Sequence, residues 1–295
     1  MKYLRQRSYV VVTVMVVIVV AATATGVYLY YPSLVSSRPS SKIQIVAGEN
    51  FWGSLVTQLG GTRVQALSIV TDPNADPHEY ESNTANARAI ASASLVIVNG
   101  AGYDDWALRL IAANGSPNQK VLNVANLLGK KQGDNPHFWY SPTYVNQTVR
   151  QMYLDLVSID SASTSYYHQR YSGLNSSLAV YNGRIDEIRS QYAGTRIAST
   201  ESIFEYLADA AGLDLISPPS FMQAVSEGND PSPADIVIFQ HQILSRNAPG
   251  NASVLVYNQQ TVTPLTSQMK QQAGQASPII PIVGVTETIQ PPDVP

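Results

Sequence analysis

The sequence predicts an α/β protein of two lobes with mainly parallel sheets, joined by a long backbone helix and preceded by an N-terminal transmembrane helix. Three observations carry that expectation. Short apolar strands alternate with helical patterns on both sides of the middle of the chain, which is the rhythm of parallel sheets. A proline-free stretch from Ser163 to Tyr192 repeats Tyr171, Leu174, Leu178, Tyr181, Ile185 and Ile188 at three- and four-residue spacing, one face of a helix. At the start, Lys2, Arg5 and Arg7 precede an apolar run from Tyr9 to Tyr31, longer than the roughly 20 residues that cross a hydrocarbon core.

The apolar run reads as an uncleaved anchor, because a cleavable signal has an apolar region of only ~7–15 residues. Its basic flank places the N-terminus inside and the rest outside, and Ala22-Thr23-Ala24 keeps cleavage open as the alternative. Ser33 to Ser41 is a linker rich in Ser and Pro. Ile43 to Ala47 then reads as a strand and Phe51 to Leu59 as a helix closed by Gly60-Gly61. Val64 to Val70 is a strand, Asn83 to Ala93 a helix, and Leu95 to Val98 a buried strand of parallel type. Asp104 to Ala113 and Pro142 to Leu156 read as helices, with a strand at Val121 to Val124 between them.

Past the long helix the rhythm resumes. Arg196 to Ala198, Leu213 to Ile216, Val254 to Tyr257 and Ile279 to Val285 read as strands. Ile203 to Ala211, Pro233 to Asn247 and Pro264 to Gln275 read as helices. The expected organisation is therefore an anchor over residues 1–32, a linker over 33–41, a first lobe over 42–160, a connecting helix over 161–193 and a second lobe over 194–295. Ligands of open α/β sheets bind beyond the carboxyl ends of the strands, so the cleft between the lobes is the expected site.

Composition narrows the chemistry. The 295 residues carry a net charge of −3 and no basic block beyond the N-terminus, which argues against nucleic acid. There is no cysteine, so disulfides, thiolate metal sites and a lipid-bearing cysteine are all excluded from this sequence. Charged residues make up 13%, well below the ~25% usual for globular proteins. Ser, Thr, Asn, Gln and Tyr must supply the polar surface.

Of the four histidines, two share a context: Asp76-Pro77-His78-Glu79-Tyr80 and Asn135-Pro136-His137-Phe138-Trp139. Each follows a proline, lies in an expected loop and has an aromatic two residues on. Neutral imidazole is the commonest metal ligand, and the stiff, walled setting suits one. His168 and His241 fall on expected helix surfaces, and Glu205 and Glu227 read as solvated acids. Glu81, Asp76 and Asp105 are candidates for orienting ligands from behind.

These segments resemble the ligand motifs of the cluster A-I metal solute-binding proteins, the zinc and manganese receptors of ABC importers. Asp76, Pro77, His78, Tyr80 and Glu81 match the family's Asp-Pro-His-x-Tyr-Glu. Asn135-Pro136-His137-Phe138-Trp139 matches its Asp-Pro-His-x-Trp, with Asn in place of the usual Asp. Thr200-Glu201-Ser202-Ile203-Phe204-Glu205 resembles the segment of the third ligand, and Gly284-Val285-Thr286-Glu287 that of the fourth. The resemblance implies a periplasmic-binding-protein-like fold of the rigid-helix type. It also implies a metal site of His78, His137, Glu201 and Glu287. One divalent transition-metal ion, Mn²⁺ or Zn²⁺, would be the ligand and an ABC permease the partner, with the chain acting as an anchored monomer and not as an enzyme. Two imidazoles and two carboxylates suit tetrahedral zinc, while a bidentate carboxylate makes Mn²⁺ comfortable and tilts the choice that way. Relatives continue into a final helix past the fourth ligand, whereas this sequence ends at Pro295.

Two other readings compete. A surface zinc hydrolase needs an open coordination position, and no His-Glu-x-x-His signature is present. An adhesin or structural surface protein with an incidental metal is compatible with the same fold, because function lives in sites and surfaces.

Overall fold

The computed structural model describes residues 42–74, 77, 80–246 and 248–289. The expected anchor at Tyr9–Tyr31 and the linker lie outside these residues, as do Asp76, His78 and Glu79. Among the described residues, no helix is long and apolar enough to cross a membrane.

The first lobe runs β1 (Ile43–Glu49), α1 (Asn50–Gly60), β2 (Val64–Val70), α2 (Thr84–Ser92), β3 (Leu95–Val98), α3 (Asp105–Asn114), β4 (Lys120–Asn123), the short α4 (Val124–Leu127) and α5 (Pro142–Ile159). Helix α6 (Thr164–Tyr192) leads into β5 (Arg196–Ser199), α7 (Glu205–Ala210), β6 (Asp214–Leu215), α8 (Pro219–Ser226), α9 (Pro233–Gln242), β7 (Val254–Asn258), α10 (Pro264–Gln275) and β8 (Ile282–Val285). Each lobe holds a four-stranded parallel sheet, ordered β2-β1-β3-β4 in the first and β6-β5-β7-β8 in the second.

Alternation along the first sheet sends side chains to two separate cores. Ile45, Leu95 and Ile97 pack with Trp52, Val56, Met152 and Leu156 under α1, α5 and α6. Val46, Val96 and Val98 pack on the other face with Ile90 and Trp106. The second lobe has one main core, where Phe221 of α8 stacks on Phe239 of α9 at 4.3 Å against Leu255 and Met269. Helix starts are capped by side chains: Asn83 and Thr263 form capping boxes, and Ser141 and Ser232 cap helices that open on proline.

Helix α6 is continuous over 29 residues. Gly173 and Gly183 face open space and do not interrupt it. Its N-terminal half packs on the first lobe, where Arg170 donates to the Gln58 carbonyl and Tyr166 bonds to Thr62. Its C-terminal end reaches the second lobe, where Arg189 donates to the carbonyls of Asp209 and Ala210. The apolar face is only partly used: Leu174 and Ile185 are buried, but Tyr181 and Ile188 are exposed.

Several expectations needed correction. The strand expected over Leu213–Ile216 shrinks to Asp214–Leu215, and Val124 opens a helix and does not close a strand. The strand expected over Ile279–Val285 is confined to Ile282–Val285, because Pro278 and Pro281 cannot donate to a ladder. The helix expected to reach Asn247 ends at Gln242. Helix α8, started by Pro219, was not expected at all.

Candidate metal centre

His137 lies in the loop between α4 and α5, just before a 3-10 turn over Phe138–Tyr140, and is fully buried. Its Nδ1 sits 2.7 Å from Asn135 Oδ1, which also accepts the His137 backbone N–H at 3.1 Å. Asn135 Nδ2 donates at 2.8 Å to both the Ser202 carbonyl and Glu205 Oε2. Because those two partners only accept, the amide orientation is set by its surroundings, and Oδ1 must face the imidazole. The proton therefore resides on Nδ1, and Nε2 presents the lone pair a metal needs. Aromatic rings wall the imidazole, with Trp139 at 5.2 Å and Tyr103 at 6.3 Å between ring centroids. Phe51 stacks on Trp139 from behind at 3.9 Å.

The second lobe brings two buried carboxylates. Glu201 stands two residues beyond β5 in extended backbone, with Oε1 accepting from Thr261 Oγ1 at 3.1 Å. Glu287 stands two residues beyond β8. Its Oε1 accepts from Asn258 Nδ2, its Oε2 accepts from Tyr103 of the first lobe at 2.6 Å, and its backbone N–H donates to Gln260 at 2.7 Å. Glu205, expected in solvent, is half-buried and tied to Asn135. His168, His241 and Glu227 are exposed, as expected.

Several bonds close the seam between the lobes around these groups. Tyr140 donates to the Thr286 carbonyl at 2.8 Å and accepts its N–H at 3.2 Å. Asn50 exchanges two hydrogen bonds with Ile289, and Tyr206 donates to the Asn135 carbonyl at 2.8 Å. Burial holds the Tyr140 phenol well above its ordinary range, and the charges of Glu287 and Glu201 add to that. A cavity of about 600 Å³ opens beside the seam, with Tyr103, Asn135 and Pro136 on one wall and Ser202, Glu205 and Met222 on the other.

The structure buries His137, Glu201 and Glu287, with Tyr103 linking Glu287 to the face of the imidazole and Tyr140 feeling the charges of both glutamates. His78 lies outside the described residues. Its neighbours Pro77 and Tyr80 are held to the first lobe, with Tyr80 packed on Trp106 at 4.9 Å. Among the described residues, no three His, Asp or Glu side chains form a ready-made metal cage.

Sequence reasoning missed three groups here. Tyr103 and Asn258 hold Glu287. The third is a buried acid pair, Glu49 and Asp104. Asp105 was the expected supporting acid, but it begins α3 half-buried. It is Asp104 that turns inward, accepting from the amides of Asn99 at 2.6 Å and Gly100 at 2.7 Å. Burial pushes its carboxyl up to about 6 from 3.8. Burial first, and then the neighbouring Asp104, hold Glu49 well above the usual carboxylate range. The visible signal was Glu49 itself, a charged residue at the end of an apolar strand.

A profile of the periplasmic zinc-uptake complex component A family, ZnuA, matches residues 45–292. The chain belongs to that family. The manganese-binding lipoprotein MntA of Halalkalibacterium halodurans is 24% identical over 188 residues, which cover 61% of this chain and 62% of that protein. The chain thus spans about three fifths of the length of that curated relative. Among solved structures, FpvC of Pseudomonas aeruginosa in complex with Mn²⁺ superposes with a TM-score of 0.66 at 18% identity, over 83% of this chain and 88% of that one. The laminin-binding adhesin Lmb of Streptococcus agalactiae gives 0.65 at 15% identity, over 85% and 90%. These likenesses bear out the two-lobe α/β fold with its long helix.

Proposed function

We propose that the protein is an extracytoplasmic receptor that captures one Mn²⁺ or Zn²⁺ ion between its lobes for an ABC-type permease. His78 and His137 supply nitrogen from the first lobe, and Glu201 and Glu287 supply oxygen from the second. The observation that carries this reading is the amide of Asn135, which bonds to both lobes and leaves His137 Nε2 as the lone-pair nitrogen. Membership of a zinc-uptake family and the manganese-binding name of a relative agree with it. Carboxylate-rich donors tilt the choice towards Mn²⁺. Four protein donors close a coordination shell, leaving no position for a substrate, which favours a receptor over a hydrolase. The apolar segment from Tyr9 to Tyr31 anchors the chain, in a sequence without a cysteine to carry lipid.

Binding requires neutral imidazoles and ionised carboxylates, so affinity falls as pH drops through the histidine range. The test is calorimetric titration of the chelator-stripped protein with MnCl₂ and ZnCl₂. The wild type takes up one ion per chain as a monomer, and the variant with both His78→Ala and His137→Ala does not. Undiminished one-to-one affinity in that double variant would refute the site.

A further inference from the structure

The two sheets carry the same strand order, with the first strand of each lobe lying second: β2-β1-β3-β4 and β6-β5-β7-β8. Their registers can be aligned residue by residue. Ala47 of β1 pairs with Ile97 of β3, which pairs with Leu122 of β4. Ser199 of β5 pairs with Val256 of β7, which pairs with Val283 of β8. Matching the last paired rung of the two central strands in each sheet sets Ala47 against Ser199, and two residues further on Glu49 against Glu201. The same alignment equates Asn99 with Asn258, both buried asparagines just past or at the end of the third strand. In each lobe the glutamate and the asparagine stand at the carboxyl ends of the two adjacent strands where the chain order reverses. That crevice is where open α/β sheets place their ligands.

The surroundings of Glu49 agree with that placement. It is 1% exposed and shares a side-chain hydrogen bond with Asp104, while no donor among the described residues meets its Oε2. Its neighbour Asn50 is bonded to Ile289, two residues beyond Glu287. On its other side Asp104 adjoins Tyr103, which bonds to Glu287 itself. Glu49 also feels the Glu287 charge across the seam. Asp104 is the less suited donor, because both its oxygens are taken by backbone amides. A cation that displaces the proton shared with Asp104 would supply the interaction that this buried oxygen lacks.

We propose that Glu49 is a further oxygen donor to the captured cation, contributed by the first lobe from the position that Glu201 holds in the second. The proposal rests on the receptor reading above and adds to it. A third carboxylate takes the site past four donors and makes oxygen the majority ligand. That suits an ion tolerating high coordination with hard donors, such as Mn²⁺, better than tetrahedral Zn²⁺.

The experiment compares the chelator-stripped full chain in detergent with its Glu49→Gln variant, titrating each with MnCl₂ and with ZnCl₂. The Mn²⁺-loaded forms are then examined by X-ray absorption. Glu49→Gln keeps the volume and removes the charge. The expected variant still binds one ion per chain. It loses Mn²⁺ affinity by about 100-fold or more, beyond the ~10–100-fold range of ligand-supporting residues. Its Zn²⁺ affinity falls less, and the number of oxygen donors around Mn²⁺ drops by one. An unchanged Mn²⁺ affinity overturns the proposal, and so does a weakened one with an unchanged donor count, which would make Glu49 a positioning residue. If the variant shows no melting transition, a crystal structure of the Mn²⁺-loaded wild type decides, by whether a Glu49 oxygen lies inside the coordination sphere. A wild type that binds neither ion overturns the receptor reading and this donor with it. A wild type that binds with Glu49 outside the sphere overturns the donor alone.

Discussion

In the first lobe the imidazole of His137 is held by one amide and enclosed by rings, whereas in the second lobe the carboxylates are held by several small polar donors. Asn135 sets the His137 tautomer, while Trp139 and Tyr103 exclude water from around it. Glu201 accepts from Thr261, and Glu287 accepts from Asn258 and, from across the seam, Tyr103, while its backbone N–H donates to Gln260. The contrast follows from the donors' chemistry. A neutral imidazole needs orientation and a fixed proton. A buried carboxylate needs hydrogen bonds to offset its lost hydration. The scaffolds differ in the same sense, since the first sheet is covered by two cores and the second lobe has one.

Among the residues that support the ligands, the largest effect is expected where the two schemes meet, at Asn135. Asn135→Asp restores the residue that the family resemblance leads one to expect, yet it should weaken binding here. An aspartate cannot donate to Ser202 or Glu205, and it would place a second carboxylate at the 2.8 Å contact with Glu205. Loss of the bond to charged Glu205 costs about 1.5–3 kcal/mol and of that to the neutral Ser202 carbonyl about 0.5–1.5 kcal/mol, and loss of a ligand-orienting partner about 10–100-fold in metal affinity. Calorimetry should show that loss, and adding Glu205→Gln should restore much of it. Tighter binding in the single variant would mean that Glu205 does not govern the choice of Asn at this position.

A smaller effect is expected at the bond from Tyr103 to Glu287. Tyr103→Phe removes one donor from a carboxylate that keeps Asn258, so Mn²⁺ affinity should fall by about tenfold, corresponding to ~1.4 kcal/mol. If the second lobe holds Glu287 unaided, titration of this variant will match the wild type, and the division between the lobes becomes sharper than drawn here.

The fold was legible because its signals are local. β2, β3 and α10 begin and end where the periodicity and proline signals put them, and the capped helices start at their Ser, Thr or Asn. The family motifs picked out His137, Glu201 and Glu287, and the structure buries all three. Their supports were less legible. Tyr103 and Asn258 lie 184 and 29 residues from Glu287, so only packing reveals that they hold it. Asp104 and Asp105 are adjacent acids at a helix start, and which one turns inward depends on backbone geometry after β3 that residue types do not specify. Glu49 became interpretable only through strand register, a relation to Glu201, 152 positions away, that no single-sequence pattern contains.

The smallest expected effect concerns the metal-free chain and sets stability against affinity. Asp104 holds its proton up to about pH 6 in the folded state, against 3.8 when unfolded, and Glu49 is raised well above 4.5. Raised carboxyl values mean that the folded state binds these protons more tightly than the unfolded chain does. Their stabilising contribution is therefore complete below the unfolded values and is lost as pH rises through the folded ones. The melting temperature of the metal-free wild type should accordingly rise as pH is lowered from about 7 towards about 5, by about 2–4 °C per ~1 kcal/mol. Glu49→Gln, a neutral isostere of the protonated acid, should flatten that rise. Metal affinity moves in the opposite direction over the same interval, because imidazoles and carboxylates take up protons in place of the ion. A metal-free melting temperature that instead falls steadily from pH 7 to pH 5, in wild type and variant alike, would show that ordinary surface carboxylates outweigh the buried pair. The acids behind the seam would then have no measurable hold on the first lobe.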